Sequence, residues 1–446
     1  MPGLRSRVIH ILVASTPIVW ALVLLSVLLT EYRGVPWSEA FSFDLDDGWC
    51  DPSAGQGVGA HCFGDFGYPY KKGGQDSEYA TGNGLANATP LMLHLFNVLR
   101  PLGYNFGLVV YLIGLIAPTL LLSYWVYKRT SSNSKIAILA IFGAASTGSL
   151  MAFDRGNHVA WFLPLVVAIV ITAKNGKNWS CLSLIVLAGL LKWWGPLLVC
   201  VLLIRKRYRD SVLALVSTAL LNLLLLLLFR TSGVSFETRL RSTMTEIFNQ
   251  EYGLYVSRLA VSLSSWIGRL ICWWSGDVEC ADVYPGEMIP SRAIPVGLAL
   301  LLFGSTVLTG RRLGLVSPFT LFGIGGLIFL AVPEAAAYNL VGASATALLM
   351  LIFESGGRPP ASGETQLFPL WLEKSAATVM ALALLSASVP IAWYTFVDSG
   401  IGSPVWFDGM GSFRLPQLLV PPLGLSTILL GLYVAIKTPK CLKGSE

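Results

Sequence analysis

Asp65 lies in the stretch His61-Cys62-Phe63-Gly64-Asp65-Phe66-Gly67-Tyr68, flanked by Phe63, Phe66, Tyr68 and Tyr70. A carboxylate placed just outside a bilayer, beside a greasy path, can do chemistry on a lipid-carried substrate. The rings supply the flat apolar faces that a sugar or a lipid path uses, and Gly64 and Gly67 allow a tight backbone. Asp65 is therefore the candidate catalytic carboxylate, with His61 and Tyr68 as candidate substrate contacts. The same segment carries Glu39, Asp44, Asp46, Asp47, Asp51, Asp76 and Glu78, most of which read as a solvated acidic loop. Asp44, Asp46 and Asp47 are the alternatives to Asp65. They could also gather a divalent cation, since hard cations take several oxygens, but they follow no recognised ligand spacing, so no metal or other cofactor is indicated.

A second constellation is the turn Asp154-Arg155-Gly156-Asn157. Arg155 can fork onto a phosphate, Gly156 lets the backbone come close, and Asn157 heads an apolar run whose helix amino end favours anions. The competing reading is a capped hairpin turn with an arginine on its rim. His158, with no second histidine nearby, reads as the end of a span rather than a ligand. Lys192 interrupts an apolar block, and a cation there usually faces a cavity or a partner charge. Further along, Asn249 and Arg258 offer polar and cationic groups beside apolar faces, as an anionic lipid headgroup requires. Glu334, Tyr338 and Asn339 open a later apolar run.

The elements that must hold these groups are membrane helices. The chain is 54% hydrophobic and 13% charged, about half the charge share of a soluble domain, with a mean hydropathy of +0.65. Apolar runs recur near 8–30, 104–126, 135–153, 157–173, 211–229, 294–309, 315–332, 336–354, 375–397 and 416–437. Runs of about 20 residues can cross a bilayer, where the backbone must satisfy itself as helix. The expectation is one all-α membrane domain over 1–446, with about ten full spans. The net charge of +6 comes from cations in short loops, the positive-inside pattern, so nucleic acid is not an expected partner. Arg5 and Arg7 precede a first run too long for a signal peptide, and both termini are expected in the cytoplasm. Two long polar segments, 31–102 and 230–293, then fall outside.

Residues 181–204 pose a topological puzzle. Both flanks are cationic, which puts both on one side, yet crossing and returning needs about 40 residues. Two short half-crossing helices resolve it, with Lys192-Trp193-Trp194-Gly195-Pro196 at the apex. A single tilted span with a snorkelling Lys192 is the alternative. Interfacial helices are expected over Asn87–Arg100, with Thr89-Pro90 as cap and first turn and Leu91, Leu95, Val98 and Leu99 on the apolar side. One or two more are expected near 230–270. Of seven cysteines, Cys50 with Cys62 and Cys272 with Cys280 fall in the outer segments, where disulfides fit. A zinc site would want closer ligand spacing.

These features resemble the polyprenyl-phosphate-sugar-dependent glycosyltransferases of the GT-C superfamily, in particular glycosyltransferase family 87. The resemblance rests on Asp65 followed by the Thr89-Pro90 helix start, on Arg155-Gly156-Asn157 as the family's Arg-Gly-Gln/Asn turn, and on Leu191-Lys192-Trp193-Trp194-Gly195-Pro196 as its Leu-Lys-x-x-Pro feature. The last has one extra residue before its proline. Tyr338 and Asn339 stand where the family often has histidines. What the resemblance implies is an enzyme of a bacterial plasma membrane. It would move mannose or arabinofuranose from a polyprenyl phosphate to a glycolipid or envelope glycan on the outer face. Asp65 would be the base, with Arg155, Asn157, Lys192 and Arg258 around the donor phosphate. The rival readings are an outer-leaflet polysaccharide polymerase or ligase, relying on paired loop arginines, and a lipid or solute transporter, with broken helices in two repeated halves.

Overall fold

Long apolar runs with few internal breakers become helices wherever the chain is described, and every regular element among the described residues is helical. The computed structural model describes residues 2–32, 66, 89–129, 138, 142, 146–154, 156–228, 235–246, 262–275, 293–332, 337–354, 370–388 and 415–437. In chain order the helices are α1 (Pro2–Tyr32), α2 (Pro90–Leu99), α3 (Tyr104–Arg129), α4 (Thr147–Asp154), α5 (Phe162–Lys174), α6 (Asn178–Leu191), α7 (Cys200–Ile204) and α8 (Tyr208–Leu228). They continue as α9 (Phe236–Glu246), α10 (Leu263–Ser275), α11 (Ala293–Leu313), α12 (Pro318–Phe329), α13 (Val341–Glu354), α14 (Leu370–Ser388) and α15 (Leu415–Lys437). Single 3-10 turns at His158–Trp161, Gly195–Val199 and Ala337–Leu340 prefix or interrupt them.

Among the described residues four helices are long and apolar enough to cross a bilayer: Tyr104–Arg129, Tyr208–Leu228, Pro295–Leu313 and Leu419–Lys437. Their outward faces are greasy. Phe106, Ile113 and Leu121 on α3, Val212 and Leu220 on α8, Leu300 on α11 and Ile436 on α15 are all exposed. A contiguous apolar surface of this kind is stable only against lipid or a partner. Five further apolar helical stretches are shorter, and α12, with 12 residues, is about 18 Å long. The expected count of about ten full spans is thus larger than the number of described helices that meet the length of a crossing.

The centre of the bundle is α12 against α13. Every residue of α12 is buried, as expected of a helix that is apolar all round. It starts sharply because Ser317 caps it, accepting from the Thr320 N–H (3.4 Å), with Pro318 in the first turn. Around this pair, α11 and α15 pack on one side, α14 and α1 join them, and α5, α6 and α8 form the other flank. Arg5 fastens α1 by donating to the carbonyls of Phe353 (2.6 Å) and Val316 (2.5 Å).

Residues 181–204 form a broken, reversing element. α6 ends at Lys192, whose backbone is extended (φ −144°, ψ 143°). After Trp193 and Trp194 the chain doubles back, so that the Gly195 backbone lies against Ala188 and Gly189. The two ends of the element meet again where Lys177, Asn178, Arg207 and Asp210 line one cavity of about 340 Å³. Cys181 and Cys200 sit on the two arms as buried free thiols.

Candidate functional site

The break at Lys192 exists because Gly195 and Pro196 cannot continue α6, and Gly195 is small enough to let the returning strand of backbone touch Ala188. Lys192 is 1% exposed. It lies within electrostatic range of His158, whose ring hydrogen-bonds the backbone of Leu191. His158 is itself buried, and its Nε2 has no hydrogen-bond partner among the described residues. A buried polar atom left without a partner is costly and points to a polar ligand or water at that position. The flanking Trp194 ring packs on Phe162 with centroids 4.3 Å apart, which fixes the apex to the start of α5.

The turn before His158 is held by its own chemistry. Gly156 has a positive φ of 64°, and its carbonyl accepts from Tyr111 Oη on α3 at 2.9 Å. Asn157 is buried, and its Oδ1 accepts from the Val159 N–H at 2.9 Å, capping the His158–Trp161 turn. That oxygen serves the fold, as the capping reading expects. Arg155 lies outside the described residues.

α2 is pinned over the apex from a third direction. Thr89 was expected to cap α2, but its side chain makes no cap bond. Instead Thr89 Oγ1 donates to the Leu190 carbonyl at 2.5 Å, and His94 Nε2 donates to Leu225 O at 2.9 Å. The buried side of α2 is Met92, Leu93, Phe96 and Leu99, while Val98 is exposed. The helix is rotated from the expected face because it packs on α6 and α8 rather than lying only on lipid.

Phe66 is the one described residue of the Asp65 stretch. It is fully buried among Phe96 (5.7 Å between centroids), Tyr104 (5.8 Å) and Tyr111 (4.9 Å). Tyr111 continues to Trp161 at 6.0 Å, and Trp161 to His158 at 6.5 Å. One run of rings therefore joins the residue after Asp65 to the histidine beside Lys192. Asn339 belongs to the Ala337–Leu340 turn, which packs against α4 and the His158–Trp161 turn. It is buried, and its Oδ1 has no partner among the described residues.

Beside the apex opens an apolar groove of about 540 Å³. Pro90, Trp193, Pro196, Asn222, Leu226 and Leu240 line it. Asn222 is anchored by donating from Nδ2 to the carbonyls of Gly189 (3.2 Å) and Thr218 (3.1 Å). Its Oδ1 has no partner among the described residues. The arrangement is a greasy groove that carries the side chains of Thr218 and Asn222 on its wall and runs beside the apex where Lys192 is buried.

Among the described residues, then, Asn157, Lys192 and Asn339 come to one end of the bundle. Asp65, Asp44, Asp46, Asp47, Tyr68, His61, Asn249, Arg258 and Glu334 lie outside the described residues, as do Cys50, Cys62 and Cys280. For Tyr338 and Cys272 only the backbone is described. No group of three His, Cys, Asp or Glu residues that could hold a metal is found among the described residues. His158, which reads in the sequence as the end of a span, and Asn222 are additions to the candidate site. Neither spacing nor residue type marks them, because their neighbours come from other helices. Compared with known proteins, the chain matches no protein-family profile, no curated protein and no solved structure.

Proposed function

We propose that the chain is an inverting glycosyltransferase that takes a monosaccharide from a polyprenyl phosphate and gives it to a glycolipid or envelope glycan. The observation that carries this reading is the buried Lys192 at the hairpin apex, flanked by residues that line the apolar groove. The groove suits the prenyl chain and the cation suits its phosphate. In the reaction the acceptor oxygen attacks the anomeric carbon. The bond from that carbon to the phosphate oxygen breaks, and polyprenyl phosphate leaves with the electron pair. The acceptor proton passes to Asp65. A phosphate needs charge stabilisation rather than protonation to leave, so one carboxylate suffices, whereas glycoside hydrolysis usually takes two. Phe66, buried in the aromatic cluster, anchors the chain one peptide from that base. Arg155, Asn157, Lys192 and Arg258 are assigned to the donor phosphate. His61, Tyr68, Asn249, Glu334, Tyr338 and Asn339 are assigned to sugar and acceptor.

This reading sets the protein in a plasma membrane with about ten spans, both termini in the cytoplasm, and segments 31–102 and 230–293 outside. The 181–204 hairpin enters from the cytoplasmic side. The test is transfer of radiolabelled sugar from a panel of polyprenyl phosphates by membranes carrying the native chain or Asp65→Asn. A lost general base lowers the rate by about 100-fold or more. Unchanged transfer by the variant refutes the role of Asp65, and no transfer by the native chain from any donor refutes the enzyme class. A cysteine at position 207 that labels only from outside refutes the topology.

A further inference from the structure

We infer that the cleft between α1 and α14 is a binding site for an anionic phospholipid headgroup, separate from the groove at the Lys192 apex. This cleft of about 390 Å³ is lined by Arg7, His10, Ser6 and Ile11 from α1 and by Lys374 and Thr378 from α14, together with Ala377. The α1 residues share one helix face by their spacing, as do those of α14. Two permanent cations and a histidine thus converge on one opening.

The geometry of Arg7 gives the site its chemistry. Its Nε donates to Glu373 Oε1 at 3.0 Å, which orients the guanidinium through one edge. Its two terminal nitrogens make no hydrogen bond among the described residues, which leaves them available as a fork for two phosphate oxygens in the cleft that Arg7 lines. Lys374 adds a point charge, and the hydroxyls of Ser6 and Thr378 add donors. Glu373 offsets one charge, and the cleft keeps a net positive balance. A diacyl lipid rather than free phosphate is the occupant, because α1 carries a strip of exposed apolar side chains beyond the cleft. Ile11 lines the cleft, and Ile18, seven residues on along the same face, is 63% exposed. A headgroup seated on Arg7 and Lys374 leaves its acyl chains along that strip. Basic pockets between helices at the cationic end of a bundle take such headgroups.

Native mass spectrometry of the full chain, offered equal phosphatidylglycerol and phosphatidylcholine, tests this. The native chain retains phosphatidylglycerol in preference. Arg7→Gln with Lys374→Gln lowers that preference about 30-fold, and Lys374→Gln alone, which leaves the Arg7–Glu373 bridge intact, lowers it about fivefold. Arg7→Lys, which keeps the charge and removes the fork, lowers it by less than the double variant. If the double variant fails to fold, Lys374→Gln carries the comparison. No preference in the native chain, or a preference that Lys374→Gln leaves unchanged, overturns the proposal. So does displacement of the lipid by millimolar glycerol 3-phosphate, which would assign the cleft to a soluble phosphate. Each of these outcomes is independent of sugar transfer.

Discussion

Gly195→Ala asks whether the hairpin apex is held by backbone contact. A Cβ at residue 195 would sit 2.7 Å from the Gly189 nitrogen and closer still to the Ala188 carbonyl carbon and oxygen. Carbon atoms approach such polar backbone atoms to about 3.3 Å, so relief of the closest contact requires the arms to part by roughly an ångström. The obstructing atoms are backbone, and no rotamer change can clear them. Overpacking of a well-filled interior costs about 1–3 kcal/mol, and this site belongs at the upper end. About 3 kcal/mol raises the population of an opened hairpin by roughly 150-fold. Cys200 follows the Gly195–Val199 turn directly and is fully buried, so its thiol reports opening. Maleimide labelling of the peptide bearing Cys200, followed by mass spectrometry, is expected to speed up about 100-fold in the variant. If the proposed glycosyltransferase reading holds, loss of sugar transfer accompanies it, because Lys192 and the Trp194–Phe162 contact move with the apex. Labelling within twofold of native would refute the argument that the close approach of residues 188 and 195 holds Lys192 in place.

Two other perturbations have different remedies. At Gly189 a methyl would overlap the Thr218 methyl and lie 3.1 Å from Thr218 Oγ1. Gly189→Ala should cost about 2 kcal/mol in thermal unfolding, and Thr218→Ala in the same chain should restore all but about 0.5 kcal/mol. A double-mutant cycle with no coupling would show that α6 and α8 do not meet there. Arg5→Met removes two charge-assisted bonds that tie α1 to α13 and to the turn before α12. It should destabilise the detergent-solubilised protein by about 3 kcal/mol, and Arg5→Lys should recover no more than one bond's share.

Much of the scaffold was legible along the chain. The apolar runs near 104–126, 211–229 and 416–437 match α3, α8 and α15 closely, because hydrophobicity over 20 residues is a local property. The break at Lys192 was legible too, since two cationic flanks and a Gly-Pro pair leave too few residues for a full crossing and return. The rotation of α2 was not. Its pattern of Leu91, Leu95 and Val98 fits a helix lying on lipid, and the packing of α6 and α8 turned Met92 and Phe96 inward instead. The role of Thr89 was misjudged for the same reason, because a carbonyl 101 positions away competes with the cap.

The sequence by itself determined that this is an all-helical chain with lipid-facing surfaces, interrupted at Lys192 and carrying a carboxylate-rich segment between its first two apolar runs. Those properties follow from the summed hydrophobicity and backbone preferences of neighbouring residues. Only the tertiary structure decided that His158, Lys192, Asn339 and the anchor Phe66 gather at one end of the bundle, beside a groove whose walls come from α2, α6, α8 and α9. Such contacts join the His158–Trp161 turn to the Ala337–Leu340 turn, about 180 residues further along the chain. They depend on which helix faces fill one another's space, and no local pattern records that.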